Sequence, residues 1–178
     1  LKVGGLGRSV SRAAVNEVYS TSLAASLPPS ALALSPEQIF DGRFTSGDQR
    51  TLRLTPLGQG GSYDAADQLL AGFAMLSLPV SRRLTAVVGA RIEDSRVTVD
   101  ATPTLGETTR VEKVFTDVLP SLALTYALNP DQNLRFAASR TLSRPEYREL
   151  APLLFREVIG FDNVLGNADL RRALITNV

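Results

Sequence analysis

Residues Phe115 to Tyr147 read FTDVLPSLALTYALNPDQNLRFAASRTLSRPEY, and this stretch decides the fold. Val118, Leu122, Leu124, Tyr126 and Leu128 share one parity. Ser121, Ala123, Thr125 and Ala127 share the other. A strand sends successive side chains to opposite faces, so one face here is greasy and the other small or weakly polar. Asn129-Pro130-Asp131-Gln132 follows. Proline presets φ, and Asn and Asp bond their own backbone, so these residues turn the chain. Leu134, Phe136 and Ala138 then alternate with Arg135, Ala137 and Ser139. The pattern predicts a β-hairpin with strands Val111 to Leu128 and Asn133 to Arg144.

Working back from the hairpin, Leu84 to Glu93 alternates in the same way. Leu84, Ala86, Val88, Ala90 and Ile92 take one parity; Thr85, Gly89, Arg91 and Glu93 take the other, with Val87 the exception. Strand character runs on to Val99. Gln68 to Leu78 is apolar on both parities, and Gly72 and Pro79 favour a strand over a helix. Val80-Ser81-Arg82-Arg83 makes a short turn between the two. Leu1 to Tyr19 reads as one long, bulged strand weakened by glycines at 4, 5 and 7.

Three segments lack a strand period. Ser20 to Ala66 is punctuated by Pro28-Pro29, Ser35-Pro36 and Gly58-Gln59-Gly60-Gly61, and reads as a long loop. Within it, Ser35-Pro36-Glu37-Gln38-Ile39-Phe40 opens a short helix, with Ser35 as N-cap and proline in the first turn. Asp100 to Arg110 holds Pro103 and Gly106 and reads as a second loop. Pro145 to Asp169 is a third, with a helical turn inside Glu146 to Phe155; Arg172 to Val178 begins a last strand. The connections therefore alternate long, short, medium, short, long. In an up-and-down meander alternate connections lie at the same end, so all the long ones gather at one end and the tight turns at the other. That sorting is what a membrane barrel shows. The fold class expected is all-β: about six antiparallel up-and-down strands, a partial segment of a large transmembrane β-barrel.

Composition bounds the function. Of the 178 residues 44% are apolar, enough for a buried surface, which argues against wholesale disorder. The net charge is +1, which argues against an electrostatic nucleic-acid binder. The chain has no cysteine and no histidine, which removes thiolate and imidazole metal sites and any Ser-His or Cys-His pair. No stretch approaches the roughly 20 apolar residues of a membrane helix. A barrel hides its apolar face as every second residue, so this does not exclude a membrane. The first and last residues read as strand interrupted, so 1–178 is expected to be a fragment of a longer protein.

The same words carry a resemblance. Leu119-Pro120-Ser121-Leu122, the Asn-Pro-Asp turn, and Arg140-Thr141-Leu142-Ser143-Arg144-Pro145 resemble, in order, motifs of the barrel of TonB-dependent outer-membrane receptors. Gly166-Asn167-Ala168-Asp169-Leu170 is similar to that family's "GNPDL", but the prolines and glutamate of the usual "GNPxLKPE" are replaced. The resemblance is clearest from Leu84 to Val178. It implies a barrel of about 22 strands with a plugged lumen. It also implies a Gram-negative outer-membrane location, with contacts to outer-membrane lipid. Energised import of a scarce nutrient ligand follows, such as a ferric siderophore, cobalamin or an oligosaccharide. Coupling to the TonB energising complex would run through a plug domain that 1–178 lacks. The alternatives are another, porin-like outer-membrane barrel and a soluble β-sandwich binding module.

No catalytic constellation emerges, and no enzyme activity, cofactor or metal is expected. Glu93-Asp94 and Glu146/Glu149 are carboxylate clusters without a converging partner. The ligand-binding residues expected, all assigned to the Ser20–Ala66 loop, are Phe40, Arg43, Phe44, Arg50, Arg53 and Tyr63. They join aromatic surface to guanidinium forks, which suits a sugar ring or an anionic chelate. Arg91, Glu93 and Arg135 fall on polar strand faces and are expected to face the lumen. There the two arginines either touch an acidic partner or substrate or, the favoured reading, pair with Glu93 or a neighbouring strand's carboxylate. Arg140 shares its parity with Leu134 and Phe136, so either it reaches an interface or a bulge flips its register.

Overall fold

The structure is a computed structural model and describes residues 1–23, 29–42, 44, 51–156 and 162–178. Six antiparallel strands form one curved sheet, a half-barrel, in the order β1-β2-β3-β4-β5-β8. They are β1 (Lys2–Leu23), β2 (Leu52–Pro79), β3 (Leu84–Pro103), β4 (Thr109–Asn129), β5 (Gln132–Ser143) and β8 (Ala173–Asn177). Each of the first five pairs with its sequence neighbour, as a meander must. A short helix α1 (Pro36–Ile39) lies between β1 and β2. The link from β5 to β8 carries α2 (Tyr147–Leu150) and a separate two-stranded ribbon, β6 (Leu154–Arg156) with β7 (Asn163–Leu165).

The central hairpin forms as the alternation predicts. Its turn is tight, with Asn129 paired to Gln132 and the Asn129 side chain accepting from the Asp131 amide at 3.1 Å. The β2–β3 turn spans 80–83 at the same end of the sheet. The links 24–51, 104–108 and 144–172 gather at the other end. The register is unbroken from Ser139–Asn177 to Ser143–Ala173, so no bulge flips Arg140. It stands exposed on the face that carries Leu134 and Phe136.

Two expected loops shrink. Residues 52–66 belong to β2, and β3 and β4 extend to Pro103 and Thr109. The glycine cluster that looked like a flexible loop is instead a bulge: the register slips between Glu17 and Tyr19 opposite it. Gly60 and Gly61 adopt φ of 88° and 141°, which side-chain-bearing residues rarely do. A Cβ on Gly60 would stand 2.1 Å from the Asn16 carbonyl oxygen. Punctuation that ends a strand read alone is absorbed here by pairing with β1, joined on the other side by β3 from Gly61 on. The helix within 35–40 does form, and Gln38 Oε1 accepts from the Ser35 amide at 3.1 Å.

The two faces differ. On the convex face the even-numbered residues of β2 to β5 form a continuous apolar belt. Leu70, Leu76, Leu78, Val88, Ile92, Val118, Leu134 and Phe136 are all exposed there. The nine residues Leu70 to Leu78, at about 3.3 Å each and tilted about 40°, rise about 23 Å, close to the apolar band of an outer-membrane barrel. Beyond the belt the same face turns polar: Arg96 pairs with Glu112, Arg110 with Asp100, and Thr116 with Asp94. In water so large an apolar surface would be a liability. The concave face carries the core. Val99 and Ala101 are fully buried, beneath Leu150, Ala151, Leu153 and Phe155 of the β5–β8 link.

Candidate functional site

The β5–β8 link folds back into the curve of the sheet and caps its inner face. Apolar packing and charge together hold it there. Leu153 and Phe155 lie against Tyr63, Val97, Val99 and Val111. Gly166 approaches α2 so closely that a Cβ would stand 1.7 Å from the Ala151 carbonyl oxygen. Its amide donates to Leu153 at 3.1 Å, and the Asn167 amide donates to Glu149 at 2.7 Å.

The charges lie where the cap enters and leaves the sheet. Glu93 on β3 and Asp117 on β4 are directly paired across the strands, and both are buried. Like charges in that relation repel. Arg144, one residue beyond β5, answers both: it donates to Glu93 at 2.8 Å and lies 3.6 Å from Asp117. Arg91 donates to the other Glu93 oxygen at 2.6 Å. Arg172, one residue before β8, donates to Asp117 Oδ1 and covers the Phe115 ring at 4.7 Å. Three guanidiniums thus bracket two carboxylates, and two of the three come from the cap's own ends. A second tether joins α2 to β2. Tyr147 donates to Asp67 Oδ2 at 3.0 Å, and Arg8 on β1 donates to the same oxygen at 2.6 Å. Burial, and then the carboxylate that receives its proton, push the Tyr147 phenol above its ordinary pKa.

The residues singled out from sequence are scattered. Arg91 and Glu93 meet on the inner face as a pair. Arg135 shares their parity but stands exposed near the turn end, opposite Thr125. Tyr63 is not in a loop; it is a buried β2 residue beneath the cap. Phe44 is buried with Leu52, against Leu34 and Ile39. Phe40 and Arg53 are exposed. Arg43 and Arg50 lie outside the described residues. Sequence reasoning did not assign Asp67, Asp117, Arg144, Tyr147 or Arg172 to a site. The signal that finds Arg144 is the register itself, because two carboxylates facing each other demand a cation. Among the described residues no three metal-ligating side chains converge.

Chemically the cluster is a clamp, with no nucleophile beside a base. A long strand scaffold, an apolar belt outside, and a charged, capped face inside describe a barrel wall. A family model described as "TonB dependent receptor-like, beta-barrel" matches residues 15–177. No curated protein and no solved structure gives a significant match. The chain belongs to the TonB-dependent receptor β-barrel family, whose members are outer-membrane receptors and transporters rather than enzymes.

Proposed function

We propose that this segment of a TonB-dependent receptor barrel forms part of the wall of an outer-membrane importer for a scarce nutrient. Candidate nutrients are a ferric siderophore, cobalamin or an oligosaccharide. The observation that carries the reading is the contrast between the two faces: an apolar belt of bilayer height outside and a charged, partly capped surface inside. The sheet supports the view that 1–178 is a fragment of a larger barrel. Its edge strands β1 and β8 carry unpaired backbone groups, which a bilayer cannot satisfy. Further strands and a plug domain complete the receptor, and the plug carries the contact to the TonB energising complex. The tight turns 80–83 and 130–131 face the periplasm, and the 24–51 link and the cap face the outside. On that topology Phe40 and Arg53, with Arg43 and Arg50, offer the first contact to the ligand.

Cells carrying the full-length receptor test this. An epitope inserted after Asp41 should be labelled on intact cells, and one inserted at Asp131 should not. Nutrient accumulation should stop when the inner-membrane proton gradient is collapsed. Surface labelling at Asp131 would invert the topology, and uptake indifferent to the gradient would point to a passive pore.

A further inference from the structure

A cavity of about 630 Å³ opens between β1, β2 and the start of the cap, and the clamp leaves it unfilled. Its size lies within the roughly 300–1,000 Å³ of small-molecule pockets. Arg8, Arg12, Asp67, Arg144 and Tyr147 are among the residues that line it. Asp67 is only 4% exposed. Its Oδ2 takes both hydrogen bonds, from Arg8 and from Tyr147, and its Oδ1 has no partner. Nε of Arg144, on the same wall, has no acceptor. A buried acceptor and a buried donor, on two residues that line one space, therefore stand unmatched.

The charge at the rim is also unmatched. Arg12 is exposed and forms no ion pair among the described residues. It lies four positions from Arg8 on one strand, so both side chains project from the same face. Arg8 commits one nitrogen to Asp67, its side chain is 47% exposed, and most of its five N–H donors stay uncommitted. The complement of these groups is a molecule with a carboxylate for the two arginines, a hydroxyl hydrogen for Asp67 Oδ1 and a further oxygen for Arg144 Nε.

We propose that this cavity binds a polyhydroxylated carboxylate, a sugar acid by chemical class. Its carboxylate lies between Arg8 and Arg12, and one hydroxyl donates to Asp67. This rests on the import reading and names its substrate class. A neutral polyol would leave Arg12 unmatched. A dicarboxylate without hydroxyls would leave Asp67 Oδ1 without a donor and bring a second negative charge beside it.

Calorimetry on the purified full-length receptor in detergent tests the proposal, with gluconate, sorbitol and adipate as probes. Gluconate should bind at least about tenfold more tightly than either of the others. Arg12→Gln should weaken gluconate by about tenfold or more while the cap keeps its protease resistance, since Arg12 forms no ion pair among the described residues. Tyr147→Phe removes the phenol but leaves Oδ1 free, so it should preserve the ranking of the probes. Equal affinity for the three probes, no gluconate binding, or an Arg12→Gln variant that binds gluconate like the parent would each overturn the assignment. Uptake in cells separates the two readings. Gluconate binding without energy-dependent accumulation keeps the cavity and sinks import. Energised uptake of some other nutrient, with no gluconate binding, sinks the cavity alone.

Discussion

Replacing Asp117 with asparagine keeps the shape of the side chain and removes its charge. In the native clamp three guanidiniums face two carboxylates; Asp117→Asn leaves three facing one. Arg144 and Arg91 keep Glu93, but Arg172 loses the one carboxylate it meets among the described residues and is left with the Phe115 ring. Removing one partner of a buried ion pair costs about 3–5 kcal/mol. The Asp117 side chain is 2% exposed and that of Arg172 is 27% exposed, so water softens the loss and the lower end, about 3 kcal/mol, applies. At about 1.4 kcal/mol per tenfold, the open form of the cap should rise about 100-fold. The assay is hydrogen exchange on the full-length receptor in micelles, read at the Gly166 and Asn167 amides that bond across the cap. Those amides should exchange about 100-fold faster, with β3 and β4 unchanged. The matched control is Arg144→Met. It leaves Glu93 with Arg91 and Asp117 with Arg172, two charges against two, so it should cost about 1–2 kcal/mol. Exchange at Gly166 within a few-fold of the parent, or a larger effect from Arg144→Met than from Asp117→Asn, would refute the clamp.

The remaining expectations are simpler. Gly166→Ala forces a methyl against the Ala151 carbonyl, so it should destabilise the cap by about 1–3 kcal/mol, seen as faster limited proteolysis within 144–172. Leu124→Arg puts a guanidinium in the convex belt between Ala86 and Phe136 and should cost about 2–4 kcal/mol, read as a lower temperature of barrel unfolding in detergent electrophoresis. Ala123→Arg, one residue away on the inner face, should cost much less, and equal effects would contradict the two-faced wall. The Tyr147 phenol has its pKa raised above 10.0 in the folded chain, so its tether to Asp67 is fully present below pH 10 and is lost as pH rises through the folded value. The cap should therefore loosen at strongly alkaline pH, and the same titration on Tyr147→Phe should lack that loosening.

The sequence determined the strands with clean alternation, and with them the greasy and polar faces. Leu84 to Ile92 and Leu122 to Phe136 could be sorted by parity because a strand has period two and nothing else in the chain competes with that pattern there. The 129–132 turn and the Ser35 helix start were legible for a related reason, since their residues act on their own backbone. Glycine and proline misled where their effect is set by a neighbour. Residues 52–66 look broken alone, yet β1, joined by β3 from Gly61 on, holds them in a strand and turns Gly60 and Gly61 into a bulge. Tyr63 passed for a loop aromatic because its burial comes from Leu150 to Phe155, nearly ninety positions away. The clamp was hidden for the same reason. Arg144, Arg172, Glu93 and Asp117 are ordinary surface types in sequence, and only the β3–β4 register sets the two carboxylates face to face. Only the inward fold of the β5–β8 link then brings the arginines to them. Side-chain period is a local property that the chain carries wherever it goes, whereas burial and ion pairing belong to pairs of distant residues and exist only once the sheet has curled.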